Sequence, residues 1–227
     1  SEIFLTEACE YTNSFLHFFP KISVILNIDE DHLDFFKDLE DIRNSFRKFA
    51  ELLPKDGSLI INGEIDRLGG ITDGLKCNVI TYGMDSSFDY AAVNITHNQT
   101  GAASFDLVIG GIFVSRISLS VSGDHNVSNA LASIAVADKL GIPMETIQTG
   151  LHDFHGTNRR FEHKGEVNGV TIIDDYAHHP TEIKATLRAA KELEKHRVIC
   201  VFQPHRYTRT SLLKDEFATA FTSADEI

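Results

Sequence analysis

"KISVILNIDEDHLDFFKDLEDIRNSFRKFAELLPKDGSLIIN", residues 21–62, is the stretch that decides the fold. It opens on an apolar run rich in Val and Ile, which predicts a buried strand. Across residues 39–53 the apolar positions Leu39, Ile42, Phe46, Phe49, Ala50 and Leu53 recur at spacings of three and four, predicting an amphipathic helix. "PKDG" stops that helix and "SLIIN" is the next strand. Upstream, "EIFLTE" is another short apolar run, joined to the first by a segment of helical character around "NSFLHFF", so a β-α-β unit with both strands buried is expected there too. Downstream, "CNVITYG" repeats the pattern after a Gly-rich connector. Strands alternating with helices predict a parallel α/β sheet.

Between residues 85 and 122 the texture changes. "DYAAVNITH", "ASFDLVI" and "IFVSRISLSVS" are β-rich and divided by "NQTG" and "GG", which predicts a small antiparallel side sheet. Helices return with "HNVSNALASIAVADKLG" and with "PMETIQTGLHDF", where Pro143 sits near a helix start. After "HGTNRRFE" a fresh β-α-β is expected: the strand "VTIIDDYAHH", a helix over residues 180–195, the strand "RVICVF", and a helix from about Ser211. The domain boundary is placed between residues 154 and 155, and residues 155–227 hold only about half the elements of a doubly wound domain.

The 227 residues are 42% hydrophobic, enough for a real core. Cys9, Cys77 and Cys200 are far apart and form no C-x-x-C, so neither a disulfide framework nor a thiolate zinc site is expected, and a reducing cytoplasm fits best. No apolar run reaches the roughly 18 residues a membrane span needs, and "SEIFLTEACE" carries acids where a signal peptide carries Lys or Arg. A formal net charge of −12 opposes binding to phosphate polymers, so neither a nucleic-acid nor a membrane partner is expected, while oligomeric state stays open. Seven of the eleven histidines nevertheless lie between His152 and His205, with Arg159, Arg160, Arg206 and Arg209. Cationic groups gathered in an acidic protein suggest a small anionic ligand such as a nucleotide or carboxylate.

Four clusters carry candidate chemistry. In "TEACEY" and "NIDEDHLD", Glu7, His32 and the acids Asp29, Glu30, Asp31 and Asp34 follow predicted strand ends, where open α/β sheets place ligands and where carboxylates can hold Mg2+. A solvated acidic loop capping the next helix accounts for the same residues. In "SGDHNVSNA", Asn126 and Asn129 are three apart at a helix start and could read a purine edge, with Gly123 and His125 letting a ligand approach; helix capping by Asp124 or Asn126 is the alternative. The adjacent arginines of "GTNRRFE" could clamp a phosphate, or be an ordinary exposed pair. In "FQPHRYTRT", His205, Arg206 and Arg209 follow a predicted strand beside the strand that ends in Asp174 to His179, a pairing that favours function.

Taken in order, "EACEYTNSFL", "NIDEDHLDFF", "GDHNVSNALASIAVA", "GTNRRFE", "DDYAHHPTEI" and "FQPHRYTRT" resemble the sequence blocks of the Mur ligases, the ATP-dependent amide ligases of peptidoglycan precursor synthesis. Within that family the blocks fit the members that add L-alanine to UDP-N-acetylmuramate, since a muropeptide-recycling member is expected to differ at "QPHRYTRT". The resemblance implies an α/β fold: a parallel-sheet ATPase-type domain with a small antiparallel side sheet, plus a partial Rossmann-like C-terminal domain. Residues 1–154 would be the C-terminal portion of the central ATPase domain and residues 155–227 part of the amino-acid-binding domain. The cofactors implied are ATP and Mg2+, the substrates UDP-N-acetylmuramate and L-alanine. Carried over by motif position, Glu7 and His32 would be Mg2+ ligands; His125, Asn126 and Asn129 would hold the adenine and ribose region; Arg160 would reach the phosphates and Asp175 the ribose. His178, Arg206 and Arg209, with Tyr176 and His205, would orient L-alanine or the acyl phosphate.

The chain also departs from the family pattern. No Gly-Lys dipeptide occurs, so a G-x-x-G-K-[ST] phosphate loop is not among these residues, and "LGGITDG" lacks the lysine and hydroxyl of one. Phe46, beside Arg47 and Lys48, falls where many members use a carbamylated lysine, and no carbamate is expected. The resemblance therefore implies a fragment of a longer ligase, inactive alone. Two other readings stay open: a non-catalytic nucleotide-binding module related to Mur ligases, and a metal-dependent hydrolase built on Asp31, His32 and Asp34.

Overall fold

The computed structural model describes residues 3–193 and 197–227. By internal contacts the chain divides into two compact units, Ser1–Tyr82 and Gly83–Ile227.

In the first unit, β1 (Ile22–Ile25), β2 (Ser58–Asn62) and β3 (Asn78–Gly83) are parallel, with Ile22 opposite Ser58 and Ser58 opposite Asn78. The central strand β2 buries Leu59, Ile60 and Ile61 completely, each contributing about 1.5–3 kcal/mol of transfer free energy. Helix α1 (Leu39–Glu51) starts where the Asp38 carboxylate accepts the Asp41 amide, and its first turn is acidic and its last basic, as the helix dipole favours. Its apolar face, with Phe49 and Ala50, joins Phe15, Ile25, Leu53, Leu59, Ile61 and Ile71 in one core. Phe49 stacks on Phe15 at 4.6 Å, and Phe46 meets the same ring edge-on at 5.3 Å. The Gly-rich connector holds a single helical turn, α2 (Gly69–Thr72), whose end is tied to α1 through Arg47.

Residues 3–10 do not form the expected first strand. Phe4 and Leu5 are 87% and 86% exposed, and an apolar run alone makes no strand without a neighbour to pack and pair with it. The helical segment that follows is a 3-10 helix, Tyr11–His17, in which Thr12 and Asn13 take left-handed backbone angles.

In the second unit, β4 (Tyr90–His97), β5 (Ala102–Ile109) and β6 (Ile112–Ser122) form the expected antiparallel meander. Ile109 pairs with Ile112, so Gly110 and Gly111 are a two-residue turn; both have positive φ (57° and 80°), which a tight hairpin of this kind demands. Helix α3 (Asp124–Lys139) buries Val127, Leu131, Ile134 and Ala135 and is fastened to β4 by a 2.5 Å hydrogen bond from the Tyr90 hydroxyl to Asp138. Helix α4 (Met144–Asp153) follows. Next come β7 (Glu162–Val167) and β8 (Val170–Asp174), an antiparallel hairpin; β8 is the expected strand, and its pairing with β7 was not foreseen. Helix α5 spans Pro180–Glu192; the end of the expected helix, residues 194–195, lies outside the described residues.

"RVICVF" is not a strand. Ile199 makes one parallel bridge to Glu226 and Val201 is 96% exposed, so its β-branched composition finds pairing at a single point. The helix expected from Ser211 is two short ones, α6 (Tyr207–Leu212) and α7 (Lys214–Ala220), whose Phe217 packs near Phe202. No described helix is long and apolar enough to cross a membrane.

Candidate functional site

The second unit gathers Arg160, Asp175, Tyr176, His178 and His205 at the tip of β8. There the Asp175 carboxylate accepts the amides of Phe161 at 2.7 Å and Ala177 at 2.6 Å, while the Tyr176 amide donates to the Arg159 carbonyl at 2.8 Å. These bonds lay residues 159–161 alongside the strand tip. The Arg159 guanidinium consequently sits 4.7 Å from the centre of the Tyr176 ring, and that of Arg160 lies 5.9 Å from it, both within cation–π range.

Beyond the tip, α5 begins with a capping box: His179 Nδ1 accepts the Thr181 amide at 3.3 Å, and Glu182 reaches back to accept the His179 amide at 3.2 Å. The same Glu182 oxygen accepts the His178 amide at 2.9 Å and lies 3.6 Å from His178 Nδ1, while its other oxygen lies 3.6 Å from Arg160. Burial alone would raise the Glu182 pKa, but the His178 and His179 amides and the charges of His178 and Arg160 outweigh it and hold the carboxyl below its usual range. The His178 ring meets Tyr176 at 5.0 Å and His205 at 6.1 Å, centre to centre. Arg206, exposed, starts α6 with a positive φ of 66°, and Arg209 on α6 is only 7% exposed. His205 thus reaches His178 from a loop and not, as expected, from the end of a paired strand.

At the start of α3 the helix is entered through Gly123 (φ 92°, ψ 141°), with no side-chain cap. The capping alternative for Asp124 and Asn126 therefore falls: Asp124 pairs with His97 at 2.9 Å, and the Asn126 amide donates to the Ser122 carbonyl at 2.8 Å. Asn129 lies one turn on and donates to Asn126 at 3.4 Å, so the two amides do share a face. Burial holds the His125 ring below its usual pKa; the Arg160 charge acts in the same sense, and Asp175 and Asp124 oppose it. The entrance to α3 also lies against α5, since a Cβ at Gly123 would stand 3.2 Å from that of Ala189.

In the first unit, His32 has a left-handed backbone (φ 54°) and its ring lies 4.5 Å from that of Tyr11. Its Nε2 faces Glu10 at 3.4 Å and Asp31 at 3.8 Å, and its buried Nδ1 has no hydrogen-bond partner. Glu7 is exposed in the irregular segment, and the carboxylates that face His32 are Glu10 and Asp31. Among the described residues no three His, Cys, Asp or Glu side chains are grouped to hold a metal. Mg2+ keeps several waters and takes one or two protein oxygens together with phosphate oxygens, a demand that a carboxylate beside His32 could meet.

Sequence reasoning missed Glu10 and Glu182. Glu10 stands in the quoted "TEACEY", but nothing in its spacing announces the 3-10 helix that starts at Tyr11. Glu182 had a signal, the His-Pro-Thr-Glu spacing of a capping box.

Comparison with known proteins places this geometry. Residues 2–137 match the family model for the Mur ligase middle domain, and residues 159–227 that for the Mur ligase glutamate ligase domain. A UDP-N-acetylmuramate–L-alanine ligase of Agathobacter rectalis is 54% identical over 100% of this chain and 50% of its own length. Among solved structures, a UDP-N-acetylmuramate–alanine ligase of Thermotoga maritima matches with a TM-score of 0.74 at 28% identity, over 95% of this chain and 48% of that one. A murein peptide ligase of Psychrobacter arcticus matches with a TM-score of 0.67 at 29% identity, over 93% and 44%. The chain spans about half the length of the relatives it matches. Since the middle-domain model alone covers more than half of its residues, the chain belongs to the Mur ligase family.

Proposed function

We propose that this chain is part of a cytoplasmic ATP-dependent ligase that joins L-alanine to UDP-N-acetylmuramate in peptidoglycan precursor synthesis. The observation that carries the reading is the assembly of Arg160, Asp175, Tyr176, His178 and His205 at the β8 tip. The names of relatives 54% identical over the whole chain support the choice of substrates. The family matches to residues 2–137 and 159–227 support a boundary between residues 154 and 155, with the ATPase part before it and the amino-acid part after.

A carboxylate is a poor electrophile at neutral pH. In the proposed reaction an oxygen of the muramoyl carboxylate attacks the γ-phosphorus of ATP and ADP leaves. The alanine amine then attacks the acyl carbon, and the tetrahedral intermediate expels phosphate as the amide forms. Arg160 carries a charge suited to the transferring phosphoryl group, and Asn126 and Asn129 present amides toward a base and ribose, with His125 kept neutral by burial. The Asp175 oxygens retain lone pairs for a ribose hydroxyl beyond the two amides they accept. Arg206 and Arg209 supply donors for the alanine carboxylate, with Tyr176, His178 and His205 around the amine. Glu7 and His32, with Glu10 beside His32, would hold Mg2+, which supplies charge neutralisation at the phosphates.

Titrating ATP with and without Mg2+ tests this, comparing the 227-residue chain with a version extended to carry a phosphate loop. The expected result is Mg2+-dependent binding that strengthens markedly in the extended version, and no ligation by the 227 residues alone. Equal ATP binding by the two versions would contradict it.

A further inference from the structure

We propose that Glu182, to which the family reading gives no role, is a positioning residue: one carboxylate sets both His178 at the strand tip and Arg160. The proposal rests on the ligase reading above for its catalytic meaning, but its geometry stands independently.

Glu182 uses its two oxygens differently. One accepts the amides of His178 at 2.9 Å and His179 at 3.2 Å, fixing the peptide planes on either side of the His178 Cα and so the direction in which its side chain leaves the backbone. The other holds Arg160 at 3.6 Å. With the backbone so fixed, His178 Nδ1 stands 2.8 Å from the Tyr176 carbonyl. A carbonyl oxygen can only accept, so Nδ1 carries the proton in that bond and, in the neutral ring, Nε2 is left as the acceptor. The Glu182 oxygen at 3.6 Å from the same Nδ1 favours this proton placement as well. Tyr176 completes the bracket, since its ring lies against Arg160 and against His178.

A mere helix cap and a positioning residue make different predictions. Glu182→Gln keeps an oxygen that can accept the His178 amide and removes the charge that holds Arg160. Glu182→Ala removes both. Long-range 1H–15N NMR of the histidine rings in the 227-residue chain reads which nitrogen is protonated. Wild type and Glu182→Gln are expected to show His178 in the Nδ1–H form, and Glu182→Ala an average of the two tautomers. In a version extended to carry a phosphate loop, both variants are expected to raise the ATP KM roughly two- to five-fold, the range of a partly exposed ion pair. The alanine KM is expected to rise roughly ten-fold in Glu182→Ala and less in Glu182→Gln, as for one lost hydrogen bond.

An unchanged His178 tautomer in Glu182→Ala, with both KM values unmoved and only thermal stability lowered, would overturn the proposal and leave Glu182 a helix cap. If the extended wild type shows no alanine-dependent turnover, the ligase reading fails, and the ring-nitrogen pattern still decides whether Glu182 positions His178.

Discussion

Replacing Gly123 by alanine tests whether the entrance to α3 is built around the absence of a side chain. Its backbone (φ 92°, ψ 141°) lies in territory that residues with a Cβ avoid, at a cost of about 1–3 kcal/mol. A Cβ there would stand 2.7 Å and 2.8 Å from Cε1 and Nδ1 of the His125 ring and 3.2 Å from the Ala189 Cβ on α5. The ring must move or the helices must part, a rearrangement worth about 1–3 kcal/mol. The sum is a loss of roughly 2–6 kcal/mol. Gly141 is the comparison: its φ is 75° but a Cβ there meets nothing within 4 Å, so alanine costs only the left-handed conformation, about 1–2 kcal/mol. Urea unfolding followed by circular dichroism measures both. Adding His125→Ala to Gly123→Ala should recover the part of the steric cost that comes from the ring and leave the Ala189 contact and the backbone part. Equal losses at Gly123 and Gly141, or no recovery in the double variant, would refute the reasoning.

The remaining predictions concern the core and two titrating groups. Ile60→Ala on the fully buried central strand β2 should cost about 2–5 kcal/mol by chemical denaturation. Burial first, then the bond to Asp138, pushes the Tyr90 hydroxyl pKa up, so its stabilisation is complete below the unfolded value near 10 and is lost as pH rises further. Tyr90→Phe should cost about 1 kcal/mol at pH 7 and flatten that alkaline slope in pH-dependent melts. His125 is held down chiefly by burial, with Arg160 adding to this and Asp175 and Asp124 opposing it, so the unfolded chain binds the proton more readily. Stability should therefore fall as pH drops through about 6.5, and His125→Gln should reduce that slope in the same melts.

The parts of the fold legible in sequence were those set by local periodicity. Leu39, Ile42, Phe49 and Ala50 spell α1, and the two glycines at 110 and 111 spell a two-residue turn, because in both cases the pattern and the backbone requirement lie in adjacent residues. Strands are different, because a ladder needs a partner that composition does not name. "EIFLTE" and "RVICVF" have β-forming residues, yet the first is irregular in its described part and the second bridges only at Ile199. At the candidate site the residue types were legible, since histidines and arginines concentrated in an acidic chain stand out. Their supports were not: the left-handed turn at His32 brings Glu10 to it, and the amide contacts of Glu182 depend on how the chain enters α5.

The central claim is that these residues serve alanine ligation. The most direct test is ADP release by a version of the chain extended to carry a phosphate loop, with Mg2+ present and UDP-N-acetylmuramate and L-alanine added singly and together. The account predicts sustained release only when both are present, with one amide formed per ADP, and its loss in Arg209→Ala. ATP hydrolysis indifferent to both substrates, or hydrolysis of another substrate needing metal but no ATP, would contradict it.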